Sequence, residues 1–246
     1  MKVLVHGAAG QMGTVLRRII EEGCRGAVLA GAVDEHAKDP AILTSLESFT
    51  GDADCIVDFS NHAATRSLTE YAVAQKLPLV IATTGQTEEE QAMIRKASES
   101  IPVFCSGNMS LGIALLAELA RTTVKMFPDA DVEIVEQHHN RKLDVPSGTA
   151  LMLAHAVQSV RPEATLNIGR HENGKRTHNE IGIHSLRMGN TVGVHEVIVN
   201  TGTQIITLKH EAQDRALFAE GALAAAEFLV KQQPGLYHIN HIVKEA

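Results

Sequence analysis

KVLVHGAAGQMG, residues 2–13, decides how this chain begins to fold. Val3, Leu4 and Val5 form a short apolar run, glycines follow at positions 7, 10 and 13, and an amphipathic helical pattern starts near Gln11. Strand, tight turn, helix is the order. Glycine in such a turn lets the backbone bend sharply and come close to a pyrophosphate, whose charge is stabilised by the unpaired N–H groups and positive dipole end of the following helix. The spacing is G-x-x-G-x-x-G, with Ala8 and Ala9 between the first two glycines where the commoner fingerprint has a single residue. This context predicts a Rossmann-type unit whose Gly7, Gly10 and Gly13 cradle a dinucleotide.

Outward from this stretch, apolar runs at residues 27–34, 54–59, 77–83 and 101–106 alternate with helical patterns starting near His62 and Thr87. That is the rhythm of parallel strands joined by crossover helices. Thr87 with Glu90 carries a capping-box signal. Asp34 ends the second run roughly twenty residues beyond the last glycine, where a carboxylate can accept hydrogen bonds from an adenosine ribose. Asp34 and Glu35 would repel a 2′-phosphate and only Lys38 is near in sequence, so NADH is the expected cofactor, with NADPH possible. Asp58-Phe59-Ser60 and Ala82-Thr83-Thr84-Gly85 fall after the third and fourth runs, at the carboxyl edge where open α/β sheets bind ligands. Phe59, Ser60 and Ala82 to Gly85 are therefore candidates to line the nicotinamide end, although each tripeptide or tetrapeptide also reads as a plain turn.

Beyond a helical stretch at residues 111–126 the texture changes to longer strand patterns at 132–139, 180–189, 191–201 and 203–211, the last two joined closely at Gly202. This half predicts a mixed α+β fold. An alanine-rich helix capped by Asp214 and running to about residue 232 is apolar enough to pack on both sides. The polar segment 170–179, with Gly174, is the expected mobile loop. The fold class is α/β: an N-terminal Rossmann-type parallel sheet with a second α+β domain for substrate binding and oligomerisation.

The 246 residues, 44% hydrophobic and 21% charged, suffice for a substantial core in one domain or two. A net charge of −7, with no clustered Lys and Arg, argues against a nucleic-acid or anionic-membrane surface and for small-molecule chemistry. Cys24, Cys55 and Cys105 lie far apart, are odd in number and fit neither metal nor redox spacing, as expected in a reducing cytoplasm. No apolar stretch approaches the roughly 18 residues of a membrane span, and no targeting segment is visible, so a cytoplasmic location is expected.

The chemistry concentrates in QHHNRKLDVPSGTA, residues 137–150. A strand ends near His139, a loop carries Lys142, and Ser147-Gly148-Thr149 opens an amphipathic helix over residues 149–160, with Ser147 a good N-cap. A helix start can hold a carboxylate on its free N–H groups, and Lys142 with a histidine can hold a second charge. The stretch thus suits a small dicarboxylate. A histidine with an ordinary pKa of about 6.5 can also deliver a proton near neutrality, which hydride reduction requires. A solvated charged loop ahead of a capped helix is the plainer reading. His138 and His139 without a third ligand are weak for zinc, and no metal is expected.

The string from Glu136 to Ala150, E-x-H-H-x-x-K-x-D-x-P-S-G-T-A, resembles the signature of the bacterial 4-hydroxy-tetrahydrodipicolinate (dihydrodipicolinate) reductase family of the diaminopimelate and lysine pathway. GAAGQMG, DFSNHAAT, ATTG, SGNMSLGI and RMGNTVGVHEV extend the resemblance in order over nearly the whole chain. It implies NAD(P)H-dependent reduction of 4-hydroxy-tetrahydrodipicolinate to tetrahydrodipicolinate. His138 would be the catalytic acid, His139 and Lys142 would bind or polarise substrate, and Ser147, Gly148 and Thr149 would hold a carboxylate. Gly7, Gln11, Met12, Asp34, Gly85 and Asn108 match the family's cofactor side. Gln11 stands where many relatives have an arginine, which favours NADH; Met109 stands where phenylalanine is common, and Ala82 replaces a frequent glycine. The resemblance further implies a dinucleotide domain of residues 1–109 plus 214–246, a substrate and tetramerisation domain of residues 110–213, and a homotetramer. The rival classes are an NAD-binding sensor without turnover, a metal hydrolase using His138 and His139, and a reductase of similar fold with another substrate.

Overall fold

The structure, a computed structural model, describes residues 1–245. β1 (Lys2–His6) runs through the glycine turn into α1 (Gln11–Glu21), followed by β2 (Val28–Val33), β3 (Cys55–Asp58), α2 (Thr65–Gln75), β4 (Leu79–Ile81), α3 (Glu88–Ser98) and β5 (Pro102–Cys105). Then come α4 (Leu111–Met126), β6 (Asp131–His138), α5 (Gly148–Gln158), β7 (Thr165–Ile168), β8 (Glu180–Arg187), β9 (Gly193–Asn200) and β10 (Ile205–Ala212). The last elements are α6 (Ala216–Leu229), β11 (Gly235–Tyr237) and α7 (Ile239–Glu245). Two compact units result: Met1–Leu111 with the chain from Arg215 onward, and Gly112–Asp214.

The first unit is a six-stranded sheet in the order β11-β5-β4-β3-β1-β2, every pair parallel. Val3, Leu4, Val5, Ile56, Val57, Leu79 and Val80 have no exposed surface. Continuous apolar runs, rather than alternation, are what a parallel sheet covered on both faces requires. The strand order reverses at β1, which lies between β2 and β3, so the turns after β1 and β3 form the switch point where such sheets bind ligands. α3 begins with the expected capping box, Thr87 Oγ1 accepting from Glu90 N at 3.2 Å and Glu90 Oε2 from Thr87 N at 2.8 Å.

In the second unit a mixed five-stranded sheet runs β10-β9-β6-β8-β7, with β6 antiparallel to β9 and parallel to β8. Residues of α4 and α5, among them Leu116, Ala120, Leu153 and Val157, pack on Val132, Ile134, Ile181, Ile183, Val197 and Val199. Burial alternates along β6: Val132, Ile134, Glu136 and His138 are buried, and Glu133, Val135 and Gln137 are half-buried. The buried set therefore turns from apolar to ionisable in its last two members, and this is what places the site at the carboxyl end of β6.

The α/β class with a second mixed-sheet unit is as expected. β7 and β11 add short edge strands with no counterpart in the sequence patterns. The alanine-rich helix, α6, starts at Ala216 with Arg215 in the N-cap position, one residue after the expected Asp214. The polar segment 170–179 is anchored by Arg176, whose Nη2 donates to Val132 O at 3.1 Å and to Glu180 O at 2.6 Å.

Candidate active site

At the switch point the glycines are sterically required. Gly7 has φ +75°, and a Cβ on it would lie 2.6 Å from Ser60 N; a Cβ on Gly13 would lie 2.1 Å from the Gly7 carbonyl oxygen. Gly10 is the N-cap of α1 and no side chain caps that helix, so its first N–H groups are left for an anion. His6, Gly7, Gly10, Asp34, Phe59 and Ser60 line one pocket. The Asp34 carboxylate accepts from Ala9 N and His36 N, both at 3.0 Å, which fixes it beside the glycine turn. Below the pocket, buried Asp58 accepts from His6 Nδ1 (2.8 Å), Ser60 Oγ (2.5 Å) and Thr83 Oγ1 (2.7 Å), and so ties together the ends of β1, β3 and β4. Ala82 N donates to Asp58 O at 3.0 Å, and Thr84 and Gly85 are exposed at the same edge, Gly85 with φ +90°. These residues fit a dinucleotide.

Four other predicted cofactor residues are placed differently. Gln11 is exposed and its Oε1 accepts from Arg215 Nη1 at 3.3 Å, so a guanidinium stands where the sequence shows no cation. Asn108 makes a turn, its Oδ1 accepting from Ser110 N at 2.8 Å. Met109 is buried, with its carbonyl against Gly221 of α6, so only its backbone could meet a ligand. Met12 is half-buried in the first turn of α1.

The second unit gathers the other predicted residues at the end of β6. Glu136 is fully buried and satisfied on both oxygens: Oε2 accepts from His138 Nδ1 (2.5 Å) and Arg187 Nη1 (2.8 Å), Oε1 from Arg187 Nη2 (2.7 Å) and Ser147 N (3.1 Å). Burial works to raise the Glu136 pKa, but the hydrogen bonds from His138 and Arg187 outweigh it and hold the carboxyl well below its usual range. Ser147 caps α5, its Oγ accepting from Ala150 N at 3.2 Å, and the same oxygen lies 3.2 Å from His195 Nε2. The His195 ring meets that of His138 edge-on at 5.1 Å. Burial, and next the neighbouring His138, push the His195 pKa down to about 4, so this histidine is neutral. Lys142 Nζ pairs with Asp144 Oδ1 at 2.9 Å, drawing the Asp144 pKa down. His139 N donates to Thr191 O at 2.8 Å, Gly148 is exposed and Thr149 half-buried in the first turn of α5. An imidazole, an ammonium and a helix start thus share one region able to bind an anion and move a proton. No three His, Cys, Asp or Glu side chains among the described residues are placed to hold a metal ion.

Comparison with known proteins accounts for both units. The family described as "Dihydrodipicolinate reductase, N-terminus" matches residues 1–109, and "Dihydrodipicolinate reductase, C-terminus" matches residues 112–243. This chain belongs to the dihydrodipicolinate reductase family. It is therefore an oxidoreductase. It is 43% identical to the 4-hydroxy-tetrahydrodipicolinate reductase of Caldanaerobacter subterraneus subsp. tengcongensis, over 100% of this chain and 99% of the relative. Identity to the enzyme of the same name from Clostridium novyi is 38%, over 99% and 98%. Among solved structures, dipicolinate-bound dihydrodipicolinate reductase from Paenisporosarcina sp. TG-14 shares the fold, with a TM-score of 0.80, 23% identity and 97% of each chain covered. An amine dehydrogenase from Mycobacterium smegmatis shares it more distantly, at TM-score 0.63 and 10% identity, with 98% and 95% covered.

Within this reductase, five residues of the two sites escape a reading of the sequence: His6, Glu136, Arg187, His195 and Arg215. Arg187 and His195 do stand in RMGNTVGVHEV, but nothing in that string says that β8 and β9 flank β6 and bring both side chains to Glu136 and Ser147. No membrane-spanning helix competes with this picture: none among the described residues is long and apolar enough.

Proposed function

We propose that this reductase converts 4-hydroxy-tetrahydrodipicolinate to tetrahydrodipicolinate in the diaminopimelate route to lysine. The observation that carries the reading is the group at the end of β6, where His138, Lys142 and the start of α5 come together in one unit while the glycine cradle occupies the other. The N–H groups of Gly148 and Thr149, at the positive end of α5, bind one substrate carboxylate, with the Ser147 hydroxyl fixing the helix start. Lys142, released from Asp144, and His139 bind the second charge. Bound reduced nicotinamide supplies hydride to C4 of the cyclic imine formed by loss of water. His138 gives up the balancing proton from Nε2, while its Nδ1 stays on Glu136.

Gly7, Gly10, Gln11, Met12 and Gly13 take the pyrophosphate, Asp34 the adenosine ribose, and Phe59, Ser60, Ala82 to Gly85, Asn108 and the Met109 backbone the nicotinamide end. Asp34 and Glu35 make NADH the preferred cofactor; Arg215 beside Gln11 supplies the cation that keeps NADPH within reach. Residues 1–109 plus 214–246 act as the dinucleotide domain and 110–213 as the substrate domain. The sheet face opposite α4 and α5, with Val135 and Ile198 only half-buried, packs against further copies in a cytoplasmic homotetramer.

The test is a coupled assay in which the preceding synthase makes the substrate from pyruvate and aspartate semialdehyde while absorbance of the reduced cofactor is followed, with NADH and NADPH in turn. Substrate-dependent oxidation, faster with NADH, is expected, and His138→Gln should lower kcat far more than it raises KM. Tight NADH binding without any oxidation would sink the proposed reaction and leave the fold untouched.

A further inference from the structure

Glu136 differs from the other acidic groups of the second unit. It has no exposed surface, it sits two residues before His138 on the same face of β6, and both its oxygens are taken by donors from other elements. Arg187, at the end of β8, grips the carboxylate with both Nη atoms at 2.8 and 2.7 Å and is itself held by the Asp144 carbonyl at 2.7 Å. Ser147 N, from the start of α5, adds a third anchor at 3.1 Å. A carboxylate held by three such donors has one remaining demand, a fourth donor on Oε2, and the His138 Nδ1 at 2.5 Å meets it. An ionised carboxylate only accepts, so Nδ1 must carry the proton.

At the opposite edge of the ring the neighbouring strand carries no side chain. β9 passes His138 at Gly193, where even a Cβ would stand 3.1 Å from Nε2 and 3.5 Å from Cδ2. The charged and titratable groups about the ring are Glu136 on its own strand, Arg187 on β8, His195 on β9, and the Lys142–Asp144 pair in the loop that follows. His195 is neutral and Lys142 is paired, which leaves Glu136 as the group bonded to the ring.

We propose that Glu136, clamped by Arg187, is a positioning residue that holds the proton on His138 Nδ1 and so makes Nε2 the nitrogen that exchanges protons with substrate. The proposal rests on the catalytic reading of His138 given above. It assigns Arg187 an indirect part as well: through its two hydrogen bonds it keeps Glu136 ionised and oriented. Loss of an orienting carboxylate of this kind favours the wrong histidine tautomer, which in a comparable serine-hydrolase arrangement costs up to about 10⁴ in kcat.

Two measurements test it. Nitrogen-15 NMR of the histidine side chains, with His138 assigned by its absence in His138→Gln, reads the tautomer in the unaltered protein. A proton on Nδ1 across the whole pH range is the expected result; a lone pair on Nδ1 in neutral His138 would overturn the proposal. Steady-state kinetics of Glu136→Gln provide the second. The amide keeps the size of the side chain but replaces one acceptor oxygen with a donor, so it cannot serve His138 and Arg187 together. We expect kcat to fall at least about tenfold, with KM within about threefold and NADH affinity unchanged, together with loss of the Nδ1–H signal. A folded Glu136→Gln with full kcat, while His138→Gln is crippled, defeats this proposal and spares the catalytic reading. Full kcat in His138→Gln defeats the catalytic reading itself, and the tautomer measurement still judges the role of Glu136.

Discussion

At Gly193 the histidine ring it faces excludes a side chain: a Cβ would approach His138 Nε2 to 3.1 Å. The backbone there is not left-handed, so Gly193→Ala should fold, with its methyl group displacing the ring or filling the space beside Nε2. A displacement of about 1 Å can cost about 10²-fold in rate; the expected result for Gly193→Ala is a kcat lowered about 10- to 100-fold with little change in melting temperature. Normal turnover would mean that the ring edge at Gly193 is not the working one. Asp34 permits a second test at this scale. Asp34→Asn removes the charge opposed to a 2′-phosphate and should shift the ratio of kcat/KM for NADPH over NADH upward by about tenfold, and an unchanged ratio would remove Asp34 from cofactor selection. Glu136 opens the string that carries the chemistry but has no role of its own in the sequence, and Arg187 is further out of reach: it lies 51 residues beyond Glu136 in the chain and meets it only because β8 pairs with β6.

Among the elements, the strongly patterned ones were readable and the short ones were not. β1, α1 and the capping box of α3 follow from local sequence, because a strand with a buried apolar centre, a glycine turn and a Thr–Glu cap are each encoded within a few residues. β7 has four residues and β11 three, too few for any periodicity, and each exists because an edge of a sheet was available to pair with. α6 shows how closely such packing is specified. Its Ala219, Ala222, Ala225 and Ala226 have no exposed surface, and a Cβ at Gly221 would stand against the Met109 carbonyl oxygen. Replacing Gly221 with Ala therefore requires helix and loop to part, and we expect a loss of about 3 kcal/mol or somewhat less, within the usual range for overpacking, read as a lowered urea midpoint. Thr87→Ala, which removes an exposed cap, should cost about 1 kcal/mol. If both variants lost the same small amount, the close seat of α6 on Met109 would be wrong.

For the whole molecule the clearest expectation concerns acid. In the fold His195 stays neutral down to about pH 4, while an unfolded histidine takes up its proton near 6.5. Between those values the unfolded chain binds more protons, so stability is complete above about pH 6.5 and falls as the pH drops toward 4, by up to about 3 kcal/mol. Glu136, whose pKa is lowered on folding, adds a further loss as the pH drops below its ordinary value of 4.5. Urea midpoints measured from about pH 8 to pH 4 should trace this fall, and His195→Asn should flatten its upper part; a midpoint unchanged between pH 6.5 and 4.5 would contradict the buried neutral histidine. By itself the sequence determined the class of fold, the nucleotide turn and the string that carries the chemistry, because each rests on neighbours in the chain: glycines that must bend, strands that must be buried, a serine that caps the helix it precedes. Only the tertiary structure decided which distant residues complete the sites. Arg187 and His195 reach Glu136 and Ser147, and Arg215 reaches Gln11, through strand order and helix docking. Those contacts are fixed by the burial of whole faces, a property of the assembled sheets that no short stretch of sequence contains.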